Sequence, residues 1–303
     1  MDFSFPSFSQ RLYGASSSQL MKTDVKETDK DYTLRTAERF RMHGAEVRFD
    51  EVFAGERFAA GAVICKREEL FAGIDLIVVL GGDGSILRAA EYALMCDVPL
   101  LGINFGRVGY MAELEKHEIT LIDRIYSGDY TIQNRMTMQA EKETPEGTVL
   151  LADSVLNEVA VGRGAYPKCI DLRLSADDCV VRTIRADGVV FATPTGSSAY
   201  SMAAGGCVVD PTLECICVTP VCPISRYACP FVFSGATVLE LANIDDRAPH
   251  VDVTCDGTEP MPLFLGERLV IRRSPKTLKM LKIKHAGFFS VLNAKLSEYE
   301  LKN

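Results

Sequence analysis

A carboxylate lies inside a cluster of glycines in LIVVLGGDGSILRAAEYAL, residues 76–94, where Asp83 has Gly82 and Gly84 as neighbours. Free N–H groups at a helix start attract phosphate, and glycine lets the backbone approach it closely. An acidic side chain there would repel phosphate unless it binds a metal ion or takes a proton from a nucleophile. The residue types therefore favour phosphoryl transfer. A glycine turn in which Asp83 merely caps a helix is the structural alternative.

The elements that would hold this carboxylate are a strand, a turn and a helix. Residues 76–80 form an unbroken apolar run, typical of a strand covered on both faces of a parallel sheet. Ser85 is predicted to cap the following helix, and ligands bind at this edge of open α/β sheets. A Walker loop would need Gly-Lys-Ser/Thr, and a dinucleotide fingerprint would need a glycine at Leu87, so both are excluded. The predicted phosphate loop consists of Gly81, Gly82, Gly84 and Ser85.

Other segments of the N-terminal half indicate further α/β units. VPLLGINFG, residues 98–106, repeats the design of a buried strand followed by glycine, and it should place Asn104 and Gly106 beside the first loop. The first 25 residues show no clear strand. The remaining predictions are helices at 33–43 and 119–128 and strands at 47–49 and 62–65.

The pattern changes at about residue 130 to alternating strands, which indicates a mostly β second domain. FFSVLNAKLSEYELK at the end is predicted to be a helix that packs back on the first domain. The expected domains are an α/β domain at 1–129, a β-rich domain at 130–272 and a returning segment at 273–303. One face of the last helix would carry Phe289, Leu292, Leu296 and Tyr299.

The composition is that of a soluble globular protein, with 303 residues, 47% of them hydrophobic and 24% charged. A formal charge of -8 argues against nucleic acid or an anionic membrane as the main partner. No apolar run approaches the roughly 18 residues of a membrane span, and the first ten residues do not resemble a signal peptide, so a cytoplasmic location is expected. Ten cysteines without a CxxC pair then indicate reduced thiols.

No metal site is predicted among the side chains. Cys215, Cys217, Cys222 and Cys229 form the densest cysteine group, but they match no metal-ligand spacing, and buried structural thiols are expected instead. The four histidines are far apart in the sequence, which gives little support to a histidine triad.

Four motifs follow one another along the chain: GGDGS at 81–85, GINFGRVGYMAE at 102–113, LNEVAVGRG at 156–164 and DGVVFATPTGSSAYSMAAGG at 187–206. Together they closely resemble the NAD kinase family. GGDGS alone is shared with diacylglycerol and sphingosine kinases and is related to a phosphofructokinase motif, whereas the Asn-Glu pair with TPTGSSAY is much more specific. TPVCP at 219–223, CDG at 255–257 and the FFSVLNAKL ending also match, so the resemblance spans about residues 70–300.

The resemblance implies ATP-dependent phosphorylation of the 2′-hydroxyl of the adenosine ribose of NAD, which gives NADP. It also implies a Rossmann-like N-terminal α/β domain and a mostly β, sandwich-like C-terminal domain. The family further implies a homodimer or homotetramer whose site borrows residues from a neighbouring chain. A divalent cation, Mg²⁺ or Mn²⁺, is expected because donor phosphate charge needs neutralising and no Walker lysine is present. That ion should be held mainly by nucleotide phosphates, so no dedicated metal residues are named.

The family's functional positions fall on particular residues of this sequence. Asp83 takes the place of the proton acceptor, while Asn157 and Glu158 match the pair that holds adenine and ribose. Arg185 can offset pyrophosphate charge, and Asp187 can accept from a carboxamide. The full predicted NAD-binding set is Asp83, Gly84, Arg88, Tyr110, Asn157, Glu158, Arg185, Asp187, Thr195, Ser198, Ala199, Tyr200, Ser201 and Ala203.

Two other functions remain open at this point, a lipid or sphingoid kinase of the same superfamily and a catalytically silent nucleotide-binding regulator. A lipid kinase has no need of TPTGSSAY, and a silent regulator should have lost Asp83. The phosphoryl donor, whether ATP, another nucleoside triphosphate or polyphosphate, and the acceptance of NADH leave no readable motif. The lack of a recognisable first strand also leaves the donor-phosphate contacts of the N-terminal segment open.

Overall fold

The computed structural model describes residues 11–16, 27–106, 109–225, 227–284 and 287–302. Contacts divide the chain into two units. The first unit combines Met1–Asn134 with Leu278–Asn303, and the second is Arg135–Thr277. Both changes of unit fall a few residues later in the chain than the limits expected from the sequence.

The first unit contains short strands that alternate with helices. Its elements up to the change of unit are β1 Arg11–Ser16, α1 Glu27–Met42, β2 Glu46–Asp50, β3 Val63–Cys65, α2 Arg67–Leu70, β4 Leu76–Gly81, α3 Asp83–Cys96, β5 Leu100–Asn104, β6 Leu114–Glu115 and α4 Asp123–Tyr126, with 3₁₀ turns at Glu51–Phe53, Arg57–Ala59 and Lys116–Ile122.

The second unit is built almost entirely of strands. The elements that follow along the chain are β7 Thr131–Thr144, β8 Gly147–Val155, β9 Glu158–Gly162, β10 Ile170–Ala176, β11 Cys179–Ala186, β12 Gly188–Ala192, a 3₁₀ turn at Gly196–Ser198, α5 Tyr200–Ala203, β13 Cys215–Val221, β14 Phe231–Ser234, β15 Leu239–Asn243, β16 His250–Cys255, β17 Met261–Phe264, β18 Arg268–Lys282 and α6 Phe288–Lys302.

The sheet of the first unit is parallel, with the strand order β3-β2-β1-β4-β5 followed by the end of β18. All six residues of β4 are buried, as its continuous apolar run predicts. The core of this unit joins apolar side chains of α1 to those of β2, β4 and β5. The sheet therefore presents the carboxyl ends of β4 and β5 side by side.

Two sequence-based predictions for this unit are corrected. A first strand does exist, since Arg11–Ser16 pairs in parallel with β4 and β2. Its six residues contain a central glycine and no apolar run, so pairing with its neighbours decides its conformation rather than local propensity. The helix expected at 119–128 is a 3₁₀ turn from Lys116 followed by the short α4, because Glu115 and Glu118 form a capping box that starts the turn early.

In the second unit the strands form antiparallel sheets. One sheet has the order β14-β13-β12-β9-β16-β17, while β11, β10 and β15 pair in sequence with β18, which β7 also joins. One hydrophobic cluster contains inward-facing residues from both sets of strands, including Phe191, Leu241 and Val253. This is the mostly β domain that the alternating pattern predicts, in the sandwich-like arrangement that the family resemblance implies.

The last helix, α6, belongs to the first unit, as expected for a returning segment. Leu292 is buried on it, whereas Phe289 is half exposed. The side chains of Leu296 and Tyr299 lie outside the described part of the chain. Neither α6 nor any other helix in the described ranges is long and apolar enough to span a bilayer.

All ten cysteines are free thiols, and their burial differs from the prediction for two of them. Cys215 and Cys217 are buried on β13, as expected. Cys222 and Cys229 are exposed, because they lie in the loop after β13 rather than in its apolar run.

Candidate active site

Asp83 is the first residue of α3 and is held by a distant loop rather than by its own helix. Gly82, in an extended conformation, is the N-cap. The carboxylate accepts the backbone N–H of Met111 on Oδ1 at 2.8 Å and that of Tyr110 on Oδ2 at 3.0 Å. Neither Asp83 nor Ser85 therefore caps the helix. The predicted cap at Ser85 is wrong, since the helix begins two residues earlier.

The start of α3 leaves polar groups facing open space. Each carboxylate oxygen has two lone pairs, so each oxygen of Asp83 keeps one for another donor. The helical hydrogen bonds begin with the amides of Ser85 and Ile86, which both donate to Gly82 O. The preceding amides, of Asp83 and Gly84, are those that a helix leaves for caps or ligands. A Cβ placed on Gly84 would meet no heavy atom of the described residues within 4 Å.

The second glycine-bearing strand lies directly beside this loop. Phe105 N donates to Gly81 O at 3.0 Å, and Gly81 pairs in register with Asn104. A Cβ on Gly106 would lie 3.0 Å from the Cα of Gly82, a tight approach that glycine at position 106 avoids. The prediction that Asn104 and Gly106 lie beside the first loop is confirmed.

Two more predicted ligand residues belong to this first group. Tyr110 is partly exposed, and the preceding Gly109 has a φ of +72° at a position where a Cβ would fall 2.4 Å from the Asn104 side chain. Arg88 is exposed, and its Nη2 lies 3.5 Å from Ser85 Oγ. The described first unit thus brings Asp83, Gly84, Ser85, Arg88 and Tyr110 together.

Glu158, in the second unit, carries a buried oxygen that no other described residue bonds. It is the first residue of β9 and directly follows Asn157. Among the described residues, no hydrogen-bond partner is found for its Oε2, although that atom is inaccessible to solvent. Burial, reinforced by the nearby Asp256 carboxylate, raises the pKa of Glu158 to about 7. A buried acceptor without a donor is costly, and an incoming hydroxyl group would relieve that cost.

The TPTGSSAY stretch packs directly on this pair. Thr193 N donates to Asn157 O at 2.9 Å, and a Cβ on Gly196 would fall only 2.0 Å from that same oxygen. Thr195 is buried, and its Oγ1 likewise finds no hydrogen-bond partner in the described part of the chain. Two adjoining segments therefore each present an unsatisfied polar atom, which points to a ligand.

The predicted ligand residues from Ser198 to Ala203 differ in how far they are exposed to solvent. Ser201 is fully buried, and its hydroxyl bonds Thr219 Oγ1 at 2.9 Å, so its side chain is engaged inside the protein. Ser198 Oγ donates to Thr195 O at 3.3 Å, while the ring of Tyr200 is 44% exposed. Ala199 is partly exposed and Ala203 is exposed.

Arg185 and Asp187 lie at the other end of β12 from TPTGSSAY. Asp187 precedes this strand and Thr193 follows it, so six residue steps of roughly 3.3 Å put them roughly 20 Å apart along the strand. Asp187 Oδ1 lies 3.3 Å from Arg163 Nε, and Arg185 is exposed with its Nε 3.7 Å from Asp171 Oδ1. Within one chain these two residues are not brought to Glu158.

Two residues of this region were assigned no role from the sequence, Arg163 and Asp256. Asp256 accepts three successive backbone amides of residues 156–158. Its Asp-Gly dipeptide after a strand is a turn signal, but its contact lies about a hundred residues away in sequence. No cluster of three or more His, Cys, Asp or Glu side chains able to hold a metal ion is found among the described residues.

Two family models match this chain over most of its length. The ATP-NAD kinase N-terminal domain matches residues 11–130, and the ATP-NAD kinase C-terminal domain matches residues 156–283. The NAD kinase of Symbiobacterium thermophilum is 34% identical over 278 residues, covering 90% of this chain and 97% of the relative. The NAD kinase of Caldanaerobacter subterraneus subsp. tengcongensis is 32% identical over 274 residues, covering 90% and 96%.

Two solved structures are similar to this one. A yeast NADH kinase complexed with NADH aligns with a TM-score of 0.80 at 19% identity, covering 95% of this chain and 87% of that chain. An NAD kinase from Archaeoglobus fulgidus in complex with ATP aligns with a TM-score of 0.69 at 28% identity, covering 95% and 99%. The first of these supports the fold alone because its sequence identity is low.

Proposed function

The chain belongs to the ATP-NAD kinase family, and from this we propose that it transfers the γ-phosphoryl group of ATP to the 2′-hydroxyl of the adenosine ribose of NAD, giving NADP. The observation that carries the proposal is the unsatisfied Oε2 of Glu158, because a buried acceptor on the family's ribose-binding residue fits a ribose hydroxyl donor. A lipid substrate or a silent nucleotide regulator is not favoured by the family match.

Asp83 is the proposed proton acceptor. The 2′-hydroxyl oxygen attacks the γ-phosphorus, its proton passes to the Asp83 carboxylate, and the bond from phosphorus to the leaving oxygen of ADP breaks. The amides of Tyr110 and Met111 fix the carboxylate in one orientation before substrate arrives. Its remaining lone pairs can then orient the hydroxyl, which is the main task in a loose phosphoryl-transfer transition state.

NAD binding is proposed to rest on Asn157, Glu158 and Thr195. The Asn157 amide can pair with a purine edge, and the Glu158 carboxylate can accept from ribose hydroxyls. The buried Thr195 hydroxyl offers a further donor or acceptor. The exposed ring of Tyr200 can cover an adenine face.

ATP is proposed as the donor, which the ATP complex of the Archaeoglobus relative supports. A divalent cation, Mg²⁺ or Mn²⁺, would neutralise the charge of the phosphates during transfer. Because the described residues contain no cluster suited to holding a metal ion, we assign this ion no protein ligands and expect it to arrive on the nucleotide.

A homodimer or homotetramer is proposed because the predicted ligand residues of the second unit fall into two groups at opposite ends of β12. The length of β12 separates Asp187 from the Thr195 segment. Exposed apolar side chains of the second unit, Val180 at 64%, Ile224 at 64% and Tyr227 at 82%, give it a surface suited to another copy. Asp187 and Arg185 would then serve the site of a neighbouring chain.

Complementation between two defective chains tests this sharing. Asp83→Asn and Asp187→Ala chains, each expected to be inactive alone, are co-expressed with different tags, and the mixed oligomer is purified through both tags. Activity should return in the mixed oligomer, since one of its sites combines the intact Asp83 of one chain with the intact Asp187 of the other. An inactive mixed oligomer, or a purely monomeric wild type, would contradict the sharing.

The catalytic proposal itself is tested by assaying the purified protein with ATP and either NAD or diacylglycerol. NADP should form from NAD, with no phosphorylation of the lipid. Phosphorylation of the lipid alone would overturn the proposal, and parallel assays with polyphosphate and with NADH would define the donor and the acceptor.

A further inference from the structure

The side chain of Asp256 bonds all three backbone N–H groups of residues 156–158. The Asp256 carboxylate accepts the N–H of Leu156 and of Asn157 at 2.7 Å each, and that of Glu158 at 3.0 Å. Asp256 N in turn donates to Glu158 O at 2.9 Å. Three successive amides converging on one carboxylate form a small anion-holding concavity of backbone, and bonds to an ionised acceptor are the strong kind.

The carbonyl groups of the same segment are bonded from the opposite direction. Thr193 Oγ1 donates to Leu156 O, and Thr193 N donates to Asn157 O at 2.9 Å. With Asp256, these bonds occupy every N–H and C=O group from Leu156 to Glu158. The side chains of Asn157 and Glu158 are therefore what this segment has left to offer a ligand.

Asp256 itself is held in an unusual backbone conformation. Its φ is +48°, and that of the following Gly257 is +74°. Thr258 N donates to Cys255 O at 3.0 Å, so these are the two central residues of a tight turn, as a type I′ turn requires. Asp, Asn and Gly are the residues that tolerate this region, which makes Asn and Gly substitutions informative here.

We propose that Asp256 is a positioning residue for the substrate: it fixes residues 156–158 so that Asn157 and Glu158 present their side chains to NAD. This inference rests on the proposed binding of NAD at Asn157 and Glu158. Asp256 does not itself touch the substrate. It acts on NAD binding indirectly, through the backbone of residues 156–158 and through the electrostatic field at the Glu158 carboxylate.

The test compares Asp256→Asn and Asp256→Gly with a matched control, Asp177→Asn. Asp177 also has a positive φ, of +45°, its Oδ1 also accepts a backbone amide, that of Val238 at 2.9 Å, and its own N–H also donates back to Val238 O. It lies in the turn between β10 and β11, away from residues 156–158.

Asp256→Asn should raise KM for NAD about tenfold with little change in kcat, and Asp256→Gly should raise it further, because charge-assisted bonds to the segment are weakened and then lost. In the Asn variant the pH at which KM for NAD changes should also fall, since the negative charge beside Glu158 is gone. A purely structural role would not move that pH. Asp177→Asn should leave KM and its pH profile unchanged.

An unchanged KM and pH profile in a folded Asp256→Asn variant would overturn the proposal, as would an equal effect of Asp177→Asn. Failure of both Asp256 variants to fold would also overturn it, because the carboxylate would then serve folding rather than substrate positioning. Wild type is assayed in parallel. If wild type does not phosphorylate NAD, the proposed function fails, which is distinguishable from the failure of Asp256 alone.

Discussion

At the scale of the residue, the central observation is that the Asp83 carboxylate is oriented by two amides from another loop. Asn at this position keeps one oxygen acceptor and the size of the side chain but cannot take a proton. Asp83→Asn should therefore lower kcat by about 10²–10⁴-fold with the affinity for NAD retained, and it also loses one of the two backbone bonds, because an NH₂ group cannot accept an N–H.

The control for this change is Asp97→Asn, at the opposite end of α3, where a positive φ of +55° tolerates either residue. Steady-state kinetics and circular dichroism of both variants decide the matter. Turnover within a few-fold of wild type in a folded Asp83→Asn variant would make Asp83 a structural residue.

Glu158 gives a second prediction at this scale, through pH. Its pKa in the folded protein, about 7, lies above the ordinary 4.5. For a raised pKa the protonated group favours the folded state, so its contribution is complete below about pH 4.5 and is lost as the pH rises through 7. The free energy of unfolding of the ligand-free protein should fall over this range, and Glu158→Gln should remove that part of the fall.

Urea unfolding at about pH 5 and about pH 7.5 measures this difference. Glu146→Gln, at an exposed hairpin turn, is the control and should leave the slope unchanged. If the slopes of wild type and Glu158→Gln coincide, Glu158 is not the buried acid described here.

At the scale of the element, the close approach of the TPTGSSAY loop to β9 is the feature most sensitive to size. A Cβ on Gly196 would lie 2.0 Å from Asn157 O, a backbone atom that cannot move aside cheaply. Gly196→Ala should lower the free energy of unfolding by about 1–3 kcal/mol and weaken NAD binding, because the loop must shift away from the Asn-Glu pair. Gly162→Ala is the control, because a Cβ there would meet no atom of the described part of the chain within 4 Å.

Thermal unfolding and NAD titration of both variants test this prediction. Equal effects of the two substitutions would mean that the contact is unimportant. So would a Gly196→Ala variant that binds NAD as tightly as wild type.

Some of the strands and helices could be predicted from the sequence and others could not. The buried strand β4, its glycine turn and α3 follow from local patterns, and so does the neighbouring β5 with Asn104 at its end. The first strand, Arg11–Ser16, has no such pattern and depends on pairing with β2 and β4. Local sequence patterns therefore predict the elements whose own composition determines their conformation. They fail for a strand whose conformation is determined by pairing with neighbouring strands.

The candidate site divides in the same way. Motifs predict Asp83, Asn157, Glu158 and Thr195 as site residues, a prediction that the structure does not test, but they give Asp83 no partner, because the amides that hold it come from Tyr110 and Met111. The hydrogen bonds from the amides of residues 156–158 to Asp256 could not be predicted from motifs either, since they join residues about a hundred positions apart in the sequence. Roles set by long-range backbone contacts need the structure. Cytoplasmic location stays a prediction of the sequence.

At the scale of the whole molecule, the proposed dependence on a divalent cation follows from the charge of the substrates. Excess EDTA should abolish NADP formation, and added Mg²⁺ or Mn²⁺ should restore it, because the phosphates would otherwise face uncompensated repulsion during transfer. The melting temperature without nucleotide should not change with EDTA, since the ion is expected on ATP rather than in a protein site. Full activity in EDTA, or a lower melting temperature without nucleotide, would contradict this.

Because the free thiols differ in burial, the rate at which each unit opens can be measured by labelling its cysteines. Cys65 is buried in the first unit and Cys215, Cys217 and Cys255 in the second, while Cys179, Cys207, Cys222 and Cys229 are exposed. A thiol-alkylating reagent should label the exposed group at once and the buried group only when the surrounding structure opens. Mass spectrometry of the labelled peptides would then give the rate of opening around Cys65 separately from the rate around Cys215, Cys217 and Cys255. No engineered probe is needed.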